Sequence, residues 1–176
     1  MIPANQLSAA CGAPEATLDR PLEHLLACHR RIEQRLGALE RAAESLGTRW
    51  REAEEVIVKV LRFLESNGAW HTEDEEQSLF PRLRPKLAAA HHRDYLGALE
   101  AQHDRVEWLM QRLRETALED PRFPERVFAV AQAYREHIAF EETRLVDLAR
   151  GALSEGELAE IAAEMKRRRG LAEPSV

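Results

Sequence analysis

Four of the seven histidines carry a glutamate four residues downstream: His29 with Glu33, His71 with Glu75, His103 with Glu107, and His137 with Glu141. On an α-helix, positions i and i+4 lie one above the other on the same face. Each pair can therefore present an imidazole nitrogen and a carboxylate oxygen to one point, and those are the donors that bind divalent metals. The pairs fall one to a helical segment, so four such helices would surround a shared centre. That pattern reads as a metal site inside a four-helix bundle.

Burying three or four carboxylates with four imidazoles costs many kcal/mol unless something offsets it. A hydrogen-bonded network offsets part, and a cation does so more directly. So many donors exceed what one tetrahedral zinc takes. Mixed nitrogen and oxygen ligation suits iron or manganese, with zinc or copper admissible on affinity. If Glu75 and Glu141 bridge two ions and Glu107 binds one of them terminally, the protein fills nine positions. An oxygen bridge adds two, and two six-coordinate ions would then keep one position open for a small oxygen species. The ferritin-like alternative needs two Glu-x-x-His pairs, and Glu100-x-x-His103 is the only one. No His-Glu-x-x-His of a zinc protease occurs.

The elements that must position these residues are punctuated by proline, which helix interiors exclude. Asp19 is expected to cap a first helix with Pro21 in its opening turn, running to about Ser45 before Gly47. A second is expected over about Arg49–Phe80 with an irregularity at Asn67-Gly68, a third over about His92–Leu118, and a fourth over about Pro124–Ala149, closed by Gly151. Ser154 and Glu157 form a capping-box signature for a short fifth helix to about Arg168. The expected organisation is an N-terminal extension over 1–18, the metal-binding bundle over 19–151, and a C-terminal helix and tail over 152–176. Apolar residues at steps of three and four, such as Leu22, Leu25, Leu26, Ile32, Leu36 and Leu39, give each helix a buried stripe, and each stripe is interrupted by a paired histidine.

A rise of about 1.5 Å per residue lets the heights be compared. His29 stands 18 residues before Gly47, and His71 stands 20 after Arg51; Glu107 stands 11 before Leu118, and His137 stands 14 after Phe123. Antiparallel neighbours would bring all four pairs to one level within roughly a turn. Tyr134, one turn before His137, is expected either to donate a hydrogen bond to a ligand or to be a core residue. Glu76 and Glu142 are expected to support or solvate the site rather than coordinate. Glu33 is expected to lie at the surface or to support the site rather than to be a ligand, and His24, His91 and His92 are expected in solvent.

The length, 176 residues, suits one domain with a real core, and 44% hydrophobic with 32% charged residues suits a surface-charged helical protein. A net charge of −6 argues against nucleic acid as the main partner. The basic run Lys166-Arg167-Arg168-Arg169 reads as a favourable cluster in the last turn of a helix. Two cysteines, Cys11 and Cys28, give no disulfide framework and suit a reducing cytoplasm. Neither a membrane span nor a secretory signal is visible. An unidentified protein partner stays open, and the sequence does not set the oligomeric state.

Taken together, Cys28-His29-Arg30-Arg31-Ile32-Glu33, His71-Thr72-Glu73-Asp74-Glu75-Glu76 followed by Leu79-Phe80-Pro81, His103-Asp104-Arg105-Val106-Glu107, and His137-Ile138-Ala139-Phe140-Glu141-Glu142 resemble the hemerythrin-like (HHE cation-binding) domains over about residues 20–150. The resemblance implies an all-α, up-down-up-down four-helix bundle around a non-haem di-iron centre with an oxo or hydroxo bridge. It implies His29, His71, His103 and His137 as imidazole ligands and Glu75 and Glu141 as bridging carboxylates. Oxygen-carrying hemerythrins have a second histidine where Glu107 stands and an aspartate one residue beyond the position of Glu141. The chain is more similar to the subgroup with a histidine followed by three His-x-x-x-Glu pairs. An anionic donor at Glu107 favours ferric iron over reversible O2 carriage. Three classes follow: a di-iron protein processing O2, peroxide or nitric oxide, an oxygen- or iron-sensing or iron-storing module without turnover, and a metal-free helical adaptor.

Overall fold

The computed structural model describes residues 18–171, and all its regular elements are helical. The expected extension over residues 1–18 falls outside the described residues except for Leu18, as does the end of the C-terminal tail. Helix α1 spans Pro21–Ser45, α2 Trp50–Phe63, α3 Ala69–Asp74, α4 Phe80–Leu83, α5 Ala90–Arg114, α6 Phe123–Glu142, α7 Leu145–Ala152 and α8 Glu155–Arg168. Two π-helical segments, Leu64–Gly68 and Glu75–Leu79, join α2 to α3 and α3 to α4, so the expected second helix is one long rod with two widened turns.

Two apolar clusters hold the bundle, and their order along the chain shows its topology. One gathers Ile32–Leu46, Ala53–Leu64, Val106–Leu113 and Phe123–Ile138. The other gathers Leu18–Leu25, Leu79–Leu87, Tyr95–Leu99 and Leu145–Leu153, with Ile161 and Met165 of α8. Successive helices traverse the two clusters in alternating directions, which is an up-down-up-down bundle. The first three crossings pass His29, His71 and His103, and the fourth, from Ile138 to Leu145, passes Glu141, the partner of His137. α1 packs against α2 and α6, and α5 against α6.

Local chemistry explains where the elements differ from expectation. Asp19 does not cap α1: Arg20 holds that position without a side-chain cap, and Asp19 pairs with Lys166 of α8. Pro21 opens the helix as predicted, and Ser154 and Glu157 form the predicted capping box of α8. The fourth helix does not run unbroken to Ala149. It ends at Glu142, because the Thr143 hydroxyl donates to the Phe140 carbonyl at 2.6 Å, while the Tyr95 hydroxyl reaches the Phe140 and Glu141 carbonyls at 3.1 and 2.8 Å. These donors compete with the helical ladder. Gly151 lies inside α7 rather than closing a helix.

α8 packs across α1 and α3 and covers the side of α1 that a bare four-helix bundle would leave wet. His24 is accordingly buried, not solvated as expected. Its imidazole contacts the Cys28 thiol at 3.4 Å. Burial, and then the Arg169 charge, depress its pKa to about 3. His91 is exposed and His92 half-buried. Cys28 is a free buried thiol, while Cys11 lies outside the described residues. No helix among the described residues is long and apolar enough to cross a membrane.

Candidate metal centre

The layer between the two apolar clusters contains His29 from α1, His71 from α3, Glu75 from the second π segment, His103 from α5, and His137 and Glu141 from α6. All six are buried. The imidazoles form two edge-to-face pairs: His29 with His71, centroids 4.7 Å apart, and His103 with His137, at 4.6 Å. Both carboxylates span the pairs. Glu75 lies 3.3 Å from His71 Nε2 through Oε1 and 3.1 Å from His103 Nε2 through Oε2. Glu141 Oε2 lies 3.1 Å from His29 Nε2 and 3.2 Å from His137 Nε2.

The outward nitrogens are held from behind. His29 Nδ1 donates to Glu142 at 2.9 Å, His103 Nδ1 to Glu76 at 2.7 Å, and His137 Nδ1 to the Gln102 side-chain oxygen at 3.3 Å. A carboxylate or amide oxygen only accepts, so these contacts put a proton on each Nδ1 and turn Nε2 inward, where its lone pair serves a cation once any proton there is displaced. Of the two roles expected of Glu76 and Glu142, support or solvation, these contacts are the supporting one. Gln102 was not singled out in the sequence, where only its place beside His103 hints at it.

Several inward atoms have no hydrogen-bond partner among the described residues although they are buried: both Glu75 oxygens, His103 Nε2 and His137 Nε2, along with His71 Nδ1. Glu75 and its histidine neighbours are close but not aligned to bond one another. Buried polar atoms left this way cost about 1–3 kcal/mol each, so an unfilled set of five is unfavourable. A cation satisfies carboxylate oxygens and imidazole lone pairs together, and the donors fit one. Donor atoms of His29, His71, Glu75 and Glu141 lie within 4.8 Å of one another, as do those of Glu75, His103 and His137. Glu75 belongs to both groups.

Electrostatics agree with this strain. Burial, then the Glu141 charge, pushes the Glu75 carboxyl well above the usual carboxylate range. Burial also acts to raise Glu141, but the facing imidazoles of His137, His29 and His71 outweigh it and hold that carboxyl well below the range. Burial depresses His71 to about 4 and lowers His137. For His29 burial again acts downward, yet the Glu141 bond and charge prevail and raise it to about 9. The metal-free cluster therefore carries protons that a cation would displace.

A family model, the hemerythrin HHE cation-binding domain, matches residues 20–149. The chain belongs to that family. No curated protein sequence matches it. The buried His/Glu layer of this hemerythrin-domain protein is compatible with metal binding.

Glu107 is the one expected donor that the structure does not bring into the layer. Its side chain is 70% exposed and accepts from Arg114 at 2.6 Å, because solvent and a guanidinium offer it more than an anion-rich interior. Glu33 is exposed, as expected. A groove of about 440 Å³ runs from the surface to His103, with Glu107, Arg114, Gly68 and Tyr134 in its walls. Tyr134 is buried, and burial raises its hydroxyl well above the usual range. A Cβ at Gly68 would lie 3.0 Å from that hydroxyl, so glycine in the first π segment admits the tyrosine. Sequence reading also missed Tyr95, which holds the carbonyl of Glu141 itself.

Proposed function

We propose that the layer holds an oxo- or hydroxo-bridged pair of iron ions and that the protein binds or processes a small oxygen species: O2, peroxide or nitric oxide. The observation that carries this reading is the sharing of Glu75 by two donor groups, each with its own histidine pair and with inward atoms that lack any other partner. Mixed imidazole and carboxylate donors suit iron, and manganese or zinc can substitute. His29, His71, His103 and His137 are the proposed imidazole ligands, and Glu75 and Glu141 the proposed bridging carboxylates.

Iron bound there supplies Lewis acidity and accessible redox change to a small ligand. The chain supplies the rest. Glu142, Glu76 and Gln102 hold the imidazoles in orientation, and Phe80, stacked 6.2 Å from His103, keeps that side apolar. The groove at His103 is the approach for a small molecule. Glu107 stands on its wall one helical turn from His103 and remains the proposed seventh donor, drawn from Arg114 by a cation.

A second reading, iron sensing or storage without turnover, is favoured by one observation: among the described residues, Glu65, Glu73, Glu76, Asp104 and Glu107 line the groove against one cation, Arg114. Such a lining attracts cations. Partners other than a small ligand or iron are not needed by either reading, and a cytoplasmic setting suits both.

Iron quantitation with aerobic and anaerobic absorption spectra tests the metal reading. About two irons per chain and charge-transfer bands that change with oxygen are expected; a protein that retains no metal ends it. Added peroxide separates the two functions, since turnover gives sustained oxygen release and a binding module gives a single spectral change. Glu107→Gln should alter those bands if Glu107 is a donor, and unchanged bands remove it from the set.

A further inference from the structure

The basic run at the end of α8 lies beyond the family match, yet it grips the segment that carries Glu75. Arg168 donates to Asp74 Oδ1 at 2.6 Å and also to the Ser78 hydroxyl. Arg169 donates to Asp74 Oδ2 at 2.7 Å and Oδ1 at 3.2 Å, and its guanidinium lies 5.3 Å over the Trp70 ring. Asp74 and Ser78 are both 0% exposed. Asp74 immediately precedes Glu75, and Ser78 lies on the π segment Glu75–Leu79, so the Arg168 fork spans this widened turn. Arg82 adds a second tie to the same helix, donating to the Ser78 carbonyl at 3.0 Å and to Glu164 of α8 at 2.8 and 3.1 Å.

A π turn is uncommon, and the ordinary i→i+4 ladder competes with it. If this one relaxed to α geometry, one residue would leave the turn, and the chain beyond would rotate by about 100° relative to the chain before it. Glu75 could not then face His71 and His103 while Leu79, Phe80 and Leu83 keep their places in the apolar cluster. A buried aspartate needs strong partners, and two planar guanidiniums satisfy its lone pairs in fixed directions.

We infer that Arg168 and Arg169 are positioning residues for the metal centre: by holding Asp74 and Ser78 they fix the π turn that aims Glu75 at both histidine pairs. Docking of α8 and metal binding are thereby coupled through one turn of helix. The inference rests on the metal reading above.

The test compares full-length wild type with Arg168→Gln, Arg168→Lys and Ser78→Ala, each titrated with Fe²⁺ anaerobically and then exposed to air. Wild type should show slower hydrogen exchange over residues 160–171 once iron is bound. Arg168→Gln should remain helical and bind iron roughly 10–100-fold more weakly, with displaced absorption bands. Ser78→Ala should shift the bands in the same sense, less strongly. Arg168→Lys should recover part of the affinity, because an ammonium can hold Asp74 without forking to Ser78. Wild-type affinity and bands in Arg168→Gln and Ser78→Ala, with melting temperatures lowered equally with and without iron, overturn the inference. If Arg168→Gln does not fold, Ser78→Ala decides it, since the Asp74 pairs stay intact. A wild type that takes up no iron overturns the metal reading and this inference together; uptake with unaltered variants overturns this inference alone.

Discussion

Replacing Glu75 by methionine should make the metal-free protein more stable and the metal-treated protein less so. Glu75 is fully buried, and neither of its oxygens has a hydrogen-bond partner among the described residues. Leaving such a group unsatisfied costs about 1–3 kcal/mol. Methionine is apolar, similar in length, and adaptable to an irregular space. For a chain of this size 1 kcal/mol moves the melting temperature by about 2–4 °C, so Glu75→Met should melt about 2–12 °C above wild type in a chelator. Wild type at a free Fe²⁺ concentration about 100 times its dissociation constant should gain about 2.7 kcal/mol, whereas the variant, without the donor shared by both groups, should gain little. Thermal unfolding followed by circular dichroism, in chelator and in anaerobic Fe²⁺, reads both effects. The order of the two proteins should invert between conditions. A variant that melts below wild type in chelator, or that shows the full iron-induced rise, refutes the idea that Glu75 is held in strain for a cation.

Other expectations follow from the residues around the layer. Glu142→Gln and Glu76→Gln remove the anionic acceptors behind His29 and His103, and each should weaken iron binding roughly 10–100-fold by titration while the fold is kept; wild-type affinity in both would deny the orienting role. Tyr95→Phe deletes the hydroxyl on the Phe140 and Glu141 carbonyls. It should cost about 0.5–1.5 kcal/mol in denaturant unfolding and loosen iron retention, and a change in neither would show that Thr143 alone ends α6. The folded pKa of His24 is about 3, against an ordinary 6.5. The unfolded chain therefore binds one more proton between those values, and stability should be lost as pH falls from about 6.5 toward 3. His24→Gln should flatten that slope in chelated protein by about one proton, and an unchanged slope would place His24 outside the burial described.

The positions of the donors were legible because a helix makes sequence spacing into geometry. His29, His71, His103 and His137 recur at the same depth, and the apolar stripes on either side of them anticipate the two clusters that enclose the layer. The supporting carboxylates Glu76 and Glu142 were legible too, each adjacent to a donor and turned by about 100° from it. Glu107 shows the limit of spacing. It keeps the helical register of a donor, yet the structure gives its carboxylate to Arg114 and solvent, because register fixes a face and the competing partners decide where on that face a flexible chain ends.

What the sequence alone determined, then, was the all-helical bundle, its alternating direction, and the level at which imidazoles and carboxylates interrupt its core. Only the tertiary structure decided the two π turns, the break after Glu142, the burial of His24 and the grip of Arg168 and Arg169 on Asp74. The periodicity of one helix is a local property that the chain carries in its spacing. A widened turn, a helix end or a buried ion pair depends on which side chain arrives from another helix, such as Tyr95 from α5 or Arg168 from α8, and no spacing within the segment records that arrival.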